Sequence, residues 1–433
     1  MSGGTIERLL EGRHPDPDGS GPLRVPTRAV VIEDTLAGAE ADLVRGLDLG
    51  RSFAVVSDAI THEVLGGRVE RALAALGSVT SLVLPGRPHA DETTAALVGG
   101  ETAHVDALIA VGSGTLTDLT KCAAARAGKP CVAFGTAPSM NGYTSPSAAI
   151  TVDGLKKSLP AVAPAGVFLD LAVLAAAPAR LIRAGLGDSL CRSTAQADWL
   201  LAHLLRGEPY REAPFALLVA DESGLLAEPE ALVRGDHAAV ARLARTLVLS
   251  GFGMAICGGS YPASQGEHLI SHYADMLGAP AWPPSFHGEQ VGVTTLAMAA
   301  LQEEILAGPP PRIGPTQADE SALVRHFGAT LGAACCRELA RKGLDAAAAR
   351  DLTQRLAADW EQIRSRLLRV TRPAGELREA LVRAGAPATP EALGWPRAFF
   401  RDAVLHAREI RSRWTFLDLA AAAGRLESFA AAL

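Results

Sequence analysis

The chain of 433 residues has few cysteines, few lysines and no long uninterrupted apolar segment. Its six cysteines occur without CxxC spacing, and Cys335 and Cys336 are adjacent, which favours reduced, buried thiols over a disulfide framework. No run approaches the roughly 20 apolar residues that a transmembrane helix needs. The N-terminal residues also lack the basic stretch and apolar core of a secretory signal. These absences predict a cytoplasmic protein without membrane insertion.

The charge balance argues against polyanionic partners. The formal net charge is −6, so neither nucleic acid nor a lipid surface is expected to bind the chain. Arginine supplies nearly all of the basic residues, yet four of the few lysines fall in one short region, namely Lys121, Lys129, Lys156 and Lys157. Such a local cluster indicates either a solvated face or contact with an anionic ligand.

Apolar β-branched runs alternate with helical patterns in the first third of the chain. The strand-like runs are residues 28–33, 52–58, 79–86, 106–114 and 129–136. Alternation at this spacing predicts a parallel sheet covered by helices. From about residue 170 strand signals nearly vanish, and apolar residues recur at helical spacing as far as Leu433.

The sequence therefore predicts an α/β protein in three parts. Residues 1–27 form an extended N-terminal lead-in, 28–169 a Rossmann-like NAD(P)-binding domain, and 170–433 an all-helical metal- and substrate-binding domain. Asp153 and Gly154 predict a tight hairpin turn before the second domain. Because ligands of such proteins bind where domains meet, the active site is expected in the cleft between the two.

The stretch IAVGSGTLTDLTK (109–121) combines a strand, a glycine turn and a helix. Gly112 and Gly114 would let the backbone approach a pyrophosphate, which the helix N-terminus and the hydroxyls of Ser113 and Thr115 would bind. The turn lacks the third glycine of GxGxxG, so a plain strand-to-helix turn is the alternative.

Polar side chains follow two other predicted strands. Asp58 ends the second strand, where it either accepts from an adenosine ribose hydroxyl, which would favour NAD over NADP, or caps a helix. The segment FGTAPSMNGYTSPSAAI (134–150) is either a solvated loop or a set of ligand contacts. Its donors are Thr136, Ser139, Asn141, Thr144 and Ser145.

Three possible metal ligands fall near the predicted starts of separate helices. Asp188 is expected in the first turn of a helix over 185–205, His268 lies four residues before His272 on one helical face, and His287 follows two prolines. A carboxylate and two imidazoles with an open fourth position match a catalytic zinc site. The alternatives are a helix-dipole partner for Asp188 and a solvated or core-capping helix for the HxxxH pair.

Several blocks, in this order, resemble the sn-glycerol-1-phosphate dehydrogenase family of the iron-containing alcohol dehydrogenase and dehydroquinate synthase-like superfamily. They are VGSGTLTDLTK, GTAPSMNGYTSPSAAI, DGLKKSLPA, AGLGDSLCRSTAQADW, SQGEHLISH and HGEQVGV. The resemblance implies an NAD- or NADP-dependent oxidoreductase that interconverts dihydroxyacetone phosphate and sn-glycerol 1-phosphate by hydride transfer. It also implies a homodimer and one divalent metal, zinc first, with iron or nickel possible because mixed N/O sites do not select metals sharply.

The resemblance also implies roles for single residues. Asp188, His268 and His287 match the metal ligands, while Asp188, His272 and Asn141 match substrate contacts. Asn141 stands where the family usually has aspartate. The positions that match cofactor contacts are Gly112, Ser113, Gly114, Thr115, Thr136, Ala137, Pro138, Ser139 and Ser145. The candidate cations for a substrate phosphate are Lys156, Lys157, Arg411 and Arg413.

The sequence leaves three other functions open. A sugar-phosphate cyclase of the dehydroquinate synthase type would share the fold, NAD and metal, but would recycle NAD within each turnover. A dehydrogenase of the same superfamily could act on a different small polyol or polyol phosphate, which Asn141 would permit. A protein that only binds nucleotide would not need three metal ligands.

Overall fold

The computed structural model describes residues 4–280 and 282–433, apart from the side chain of Leu155. Contacts divide the chain into two compact units. Among the described residues, the first unit contains 4–189, 211–260 and 383–386. The second unit contains 190–210, 261–280, 282–382 and 387–433. The expected boundary at residue 170 therefore differs from the unit boundary, because the helices of 211–260 pack with the sheet rather than with the later helices.

A six-stranded sheet forms the centre of the first unit, with the strand order β1-β8-β5-β4-β2-β3 and every pair parallel. A separate antiparallel hairpin pairs β6 with β7. The strands are β1 (Ala29–Glu33), β2 (Ser52–Asp58), β3 (Ser78–Leu84), β4 (Ala107–Gly112), β5 (Cys131–Gly135), β6 (Ser147–Val152), β7 (Leu155–Pro160) and β8 (Gly166–Asp170). The Rossmann-like α/β class is confirmed.

The pattern of burial explains why these segments are strands. Every residue of β4 and β5 is buried, as expected for central strands covered on both faces. Alternate residues of β2 join different apolar clusters, Phe53 and Val55 on one face and Ala54 and Val56 on the other. This period of two is the geometry of a strand. The short strand β8 lies between β1 and β5 and was not among the predicted strands.

Helices account for most of the remaining chain. Short 3-10 or π segments occur at His62–Gly66, Gly142–Thr144, Tyr261–Ala263, Glu391–Leu393 and Ala407–Glu409. The helices are α1 (Thr5–Leu10), α2 (Glu40–Arg45), α3 (Ala59–Thr61), α4 (Gly67–Leu73), α5 (Glu92–Glu101), α6 (Gly114–Ala127), α7 (Leu171–Ala175), α8 (Ala179–Leu190), α9 (Arg192–Arg206), α10 (Ala213–Ala216), α11 (Val219–Ala227), α12 (Pro229–Val233), α13 (His237–Ile256), α14 (Gly266–Leu277), α15 (His287–Ala307), α16 (Glu320–Phe327), α17 (Ala329–Lys342), α18 (Ala346–Leu368), α19 (Ala374–Arg383), α20 (Arg397–His406), α21 (Phe416–Ala422) and α22 (Leu426–Ala432).

Helix α13 is a core helix of the first unit. By length and composition it could cross a membrane, but 67% of its apolar window is buried inside the protein. Val240, Ala244 and Val248 recur at helical spacing and share a cluster with Val167 and Leu169 of β8. The apolar composition of α13 is therefore explained by packing beside the sheet.

In the second unit, one buried carboxylate links two helix starts. Asp198 of α9 accepts the Gly266 N–H at 2.9 Å and the Phe416 N–H at 2.8 Å, the first residues of α14 and α21. The first amides of a helix have no partner within the helix, so an outside acceptor satisfies them. Burial raises the pKa of Asp198 well above its usual range, and the negative charge of Glu267 raises it further. The two N–H groups act in the opposite direction.

We expect Asp198→Ala to destabilise the protein strongly. The substitution leaves two buried N–H groups without their acceptor, at a cost of about 1–3 kcal/mol each. Urea denaturation followed by tryptophan fluorescence measures the change in the free energy of unfolding. Asp198→Asn is the matched control, because its single side-chain oxygen retains one acceptor and should cost less. An Ala variant as stable as the wild type would contradict this role.

Candidate functional site

The glycine turn expected to bind a pyrophosphate lies between β4 and α6. Ser113 is the N-cap residue of α6, and Gly114 begins the helix. A Cβ atom at Gly112 would lie 2.3 Å from the side chain of Leu116, so the turn has room only for glycine. Ser113, Gly114 and Thr115 are half-buried, which leaves part of each accessible. This strand–turn–helix form presents helix N–H groups to an anion.

The polar segment after β5, residues 136–147, is tied to this turn. The Thr136 N–H donates to the Gly112 carbonyl at 3.1 Å, and the hydroxyl of buried Tyr143 lies 3.3 Å from the same oxygen. The Tyr143 hydroxyl also donates to the Ala137 carbonyl at 2.8 Å. The sequence did not predict this role of Tyr143, because nothing in a polar run shows which carbonyl groups a tyrosine hydroxyl will contact.

The positions of segment 136–147 that are expected to contact a cofactor are buried. Thr136, Ala137, Pro138 and Ser139 are buried, as is Ser145, so the segment is not the ordinary solvated loop that the sequence left open.

Asp188 lies in the last turn of α8, so the expected place in the first turn of a helix was wrong. The helix begins earlier, at Ala179, and ends at Leu190, before α9 starts. The Asp188 side chain is buried, and its Oδ2 accepts the Asn141 N–H at 2.8 Å. Two of the residues expected to contact the substrate are thus joined directly.

Two glycines allow helices to approach segment 136–147 closely. A Cβ atom at Gly185 of α8 would lie 1.7 Å from the Pro138 carbonyl oxygen. A Cβ atom at Gly251 of α13 would lie 2.1 Å from Thr144 Oγ1 and 2.8 Å from the Asn141 carbonyl oxygen. Both contacts involve backbone atoms, which cannot move aside as the end of a side chain can. Neither glycine was selected from the sequence.

Asp58 is a helix cap in the structure. Its Oδ1 accepts the Thr61 N–H at 2.8 Å, and its own N–H donates to Thr61 Oγ1 at 3.0 Å. This reciprocal arrangement is a capping box at the start of α3. Of the two roles left open by the sequence, the structure contains the N-cap, and contact with a ribose stays a prediction.

In the second unit the structure brings three histidines together. His268 and His272 lie on α14, and His287 begins α15. The ring centroids of His268 and His287 are 5.0 Å apart, whereas the His272 centroid lies 6.0 Å from that of His268 and 6.2 Å from that of His287. Two imidazoles on one tetrahedral zinc have centroids about 5 Å apart, given Zn–N bonds of about 2.1 Å. The pair His268 and His287 fits a shared metal ion best.

Glu267 orients one of these rings. Its Oε1 lies 3.0 Å from His268 Nδ1 and also accepts the Gln265 N–H at 2.8 Å. Burial by itself raises the pKa of Glu267, but the hydrogen bond and charge of His268, with backbone N–H donors, outweigh burial and leave the pKa lowered. An ionised carboxylate can only accept, so Nδ1 carries the ring proton and Nε2 is the nitrogen suited to a metal.

Cys191 forms a second possible ligand set with Glu267 and His268, because their ligand atoms lie within 4.8 Å of one another. Glu267 Oε2 accepts from Thr194 Oγ1 at 3.1 Å, and Cys191 Sγ lies 3.9 Å from the Ala263 carbonyl oxygen. Both carboxylate oxygens of Glu267 therefore serve hydrogen bonds that hold α14. This arrangement favours Glu267 as the partner of a metal ligand rather than as a ligand.

Hydrogen bonds also connect the two helices that carry the histidines. Ser271 Oγ donates to Gln290 Oε1 at 2.7 Å, which joins α14 to α15. At the start of α15, Glu289 Oε2 accepts the Phe286 N–H at 2.7 Å. The backbone on both sides of His287 is therefore fixed.

The candidate cations separate into two groups. Lys121 and Lys129 bind carbonyl groups within the first unit, whereas Lys156 and Lys157 lie on β7. In the second unit, Arg413 donates to the Ser264 carbonyl and lies 4.8 Å from the centre of the Tyr261 ring. Burial, and next the charge of Arg411, lowers the pKa of Arg413 to about 9, which still leaves it cationic at neutral pH.

Comparison with known proteins agrees with this architecture. Residues 31–178 match the family model of iron-containing alcohol dehydrogenases. The fold is similar to that of glycerol dehydrogenase from Schizosaccharomyces pombe, with a TM-score of 0.63, 17% identity and 94% and 91% of the two chains covered. A probable glycerol dehydrogenase from Sinorhizobium meliloti 1021 gives a TM-score of 0.61 at 19% identity, with 94% and 98% covered. The chain has the iron-containing alcohol dehydrogenase fold.

Relatives with higher identity define the family more narrowly. The glycerol-1-phosphate dehydrogenase [NAD(P)+] of Bacillus velezensis is 31% identical over 425 residues, 96% of each chain. The enzyme of the same name from Pyrococcus furiosus is 35% identical over 276 residues, 63% of this chain and 78% of that one. The chain belongs to the glycerol-1-phosphate dehydrogenase family.

We expect Gly185→Ala to displace α8 from segment 136–147. A methyl group 1.7 Å from a carbonyl oxygen cannot be accommodated, so the free energy of unfolding should fall by at least about 2 kcal/mol. Thermal unfolding followed by circular dichroism measures the change. Gly99→Ala in α5 is the matched control, since that position has open space and alanine should be neutral or slightly stabilising. Equal stability of the two variants would refute the close contact.

Proposed function

We propose that the chain catalyses the NAD(P)-dependent interconversion of dihydroxyacetone phosphate and sn-glycerol 1-phosphate in the cytoplasm. The observation that carries the proposal is the pair His268 and His287, with Glu267 on His268 Nδ1, in a chain of this family. A pair of oriented imidazoles is a metal-binding arrangement, and it has no evident use in a protein that binds nucleotide alone.

The nicotinamide cofactor would bind along the glycine turn and segment 136–147. Gly112, Ser113, Gly114 and Thr115 would hold its pyrophosphate on the N-terminus of α6, which favours negative charge. Further contacts would come from Thr136, Ala137, Pro138, Ser139 and Ser145, and Asp58 would contact the ribose in addition to capping α3. The cofactor supplies the hydride, while the protein determines where that hydride is delivered.

Asp188, His268 and His287 would hold one divalent metal ion, zinc first, with iron or nickel as the alternatives. Each residue offers an oxygen or nitrogen of the kind that these ions bind, and Asp188 and His268 are buried. When bound, the metal supplies Lewis-acid stabilisation of negative charge on the substrate oxygen. The Asn141 N–H holds the Asp188 side chain, and Glu267 holds the His268 ring, before any metal binds.

Three further features would select and orient the substrate. His272 lies one turn after His268 and can donate to, or accept from, a substrate hydroxyl. Asn141 can do the same without adding charge. The phosphate requires cations, for which Arg411 and Arg413 are the candidates, with Lys156 and Lys157 as alternatives. Arg413 donates to the Ser264 carbonyl, just before α14. A homodimer is part of the same proposal.

The defining test follows nicotinamide absorbance at 340 nm with dihydroxyacetone phosphate and NADH or NADPH. We expect reduction that stops on chelation of the metal and in His268→Ala, with loss of bound metal in elemental analysis and an intact fold by circular dichroism. His104→Ala, an exposed histidine, is the matched control and should keep both metal and activity. Full metal content and activity in His268→Ala would overturn the ligand assignment. A sugar-phosphate cyclase would show no net change of NADH.

Asn141 marks the second candidate function, a dehydrogenase acting on another small polyol or polyol phosphate. If the family reaction is retained, Asn141→Asp should still use dihydroxyacetone phosphate, with kcat/KM changed by at most about 3 kcal/mol of transition-state energy, the value of one charged hydrogen bond. Steady-state kinetics with both proteins provide the measurement. The second candidate would instead be supported if the wild type binds metal and NADH without acting on dihydroxyacetone phosphate, whereas Asn141→Asp acts on it.

A further inference from the structure

We propose that Lys121 is a positioning residue for the cofactor: its buried ammonium group fixes the segment that carries Ser145 and follows Asn141. The inference rests on the proposed function, because Ser145 and Asn141 matter here only as cofactor and substrate contacts. Lys121 lies on α6, two turns after the glycine turn, and its side chain is 1% exposed. A lysine so deeply buried must have its charge and three donors satisfied inside the protein.

The acceptors of Lys121 all belong to the segment that it would position or to its own helix. Its Nζ donates to the Gly142 carbonyl at 2.9 Å, to Ser145 Oγ at 3.0 Å and to the Ser147 carbonyl at 2.5 Å. Asp118, one turn earlier on α6, lies 3.3 Å away and supplies the opposite charge. A single ammonium group therefore holds both ends of residues 142–147.

Lys121 also determines which way the Ser145 hydroxyl points. Ser145 Oγ accepts from Lys121, so its own proton is directed to the Gly142 carbonyl at 3.2 Å or the Ser147 carbonyl at 2.9 Å. Without the ammonium group, the Ser147 carbonyl would share the one Ser145 hydroxyl proton with the Gly142 carbonyl, which also accepts the Ser145 N–H at 3.3 Å. The lysine is thus one of the groups that hold the serine oxygen in place.

Other hydrogen bonds hold the residues on both sides of the groups that Lys121 contacts. Asp118 uses its second oxygen to accept the Ala149 N–H at 3.0 Å, so α6 holds β6 as well. Between these anchors, Thr144 Oγ1 donates to the Val248 carbonyl at 2.7 Å. Asn141, next to Gly142, donates its N–H to Asp188. Movement at Gly142 would be transmitted directly to Asn141.

The experiment compares Lys121→Met with the wild type. Methionine keeps the length of the side chain and removes the charge and donors. We expect the dissociation constant for NADH, measured by nucleotide fluorescence, and the KM for NADH to rise about tenfold or more, as for one lost charged hydrogen bond. At saturating NADH, kcat should change much less, because Lys121 does not touch the reacting atoms.

Lys129→Met is the matched control. Lys129 also donates to two carbonyls, those of Thr102 at 3.0 Å and Ala103 at 2.8 Å, but it stands before the amino end of β5, away from the glycine turn. Its loss should lower the melting temperature and leave NADH affinity within about twofold of the wild-type value. A folded Lys121→Met protein with wild-type NADH affinity would overturn the inference. A wild type that binds no nicotinamide nucleotide would instead overturn the proposed function.

If Lys121→Met does not fold, Lys121→Gln replaces it in a double-mutant cycle with Ser145→Ala. Glutamine removes the charged donor and Ser145→Ala removes its acceptor, so both changes remove the hydrogen bond from the ammonium group to Ser145 Oγ. Their combined effect on the NADH dissociation constant should therefore be smaller than the product of the single effects. Independent, multiplicative effects would show that the lysine does not act through Ser145, and the inference would fail.

Discussion

Burial of the polar segment 136–147 is the constraint on which the site in the first unit depends. A backbone that turns among buried residues must find partners for its N–H and C=O groups, since an unpaired polar group costs free energy. Here the partners come from three directions: Tyr143 within the segment, Lys121 from α6 and Asp188 from α8. These hydrogen bonds make the segment rigid. A rigid segment favours binding of a cofactor, because donors already in place lose little freedom on binding.

The second unit solves a related problem around the start of α14. Two neighbouring carboxylates have different tasks: Asp198 accepts helix-start amides, whereas Glu267 accepts from a histidine ring and from Thr194. Since both are buried, each must be matched to its donors. The outcome is that the His268 ring and the start of α14 are both held in place, as the proposed role of His268 as a metal ligand would require.

Local patterns were sufficient for the sheet but not for the contacts of the site. Strands β2, β4 and β5 are runs of apolar and β-branched residues, and the Asp153–Gly154 turn of the hairpin has positive φ at both positions, so short-range rules predicted them. Asp188 was misplaced because α8 contains Gly185 and Gly187, and nothing local shows that the helix continues through them to Leu190. The acceptors of Lys121 in the segment after β5 lie 21 to 26 residues away, so only the tertiary structure brings them together. The packing of residues 211–260 against the sheet likewise depends on tertiary contacts that no local pattern predicts.

The discontinuous composition of the first unit has a consequence for the order in which the protein can fold. One apolar cluster joins Leu9 of α1, Val167 of β8 and Phe252 of α13. A chain growing from the ribosome can pair all six strands before residue 237 has been made. At that point the apolar residues of the sheet in this cluster still lack α13, which packs on them. Domains generally fold as units during synthesis. The first unit therefore completes its core only after residues 190–210, which belong to the second unit, have already left the ribosome.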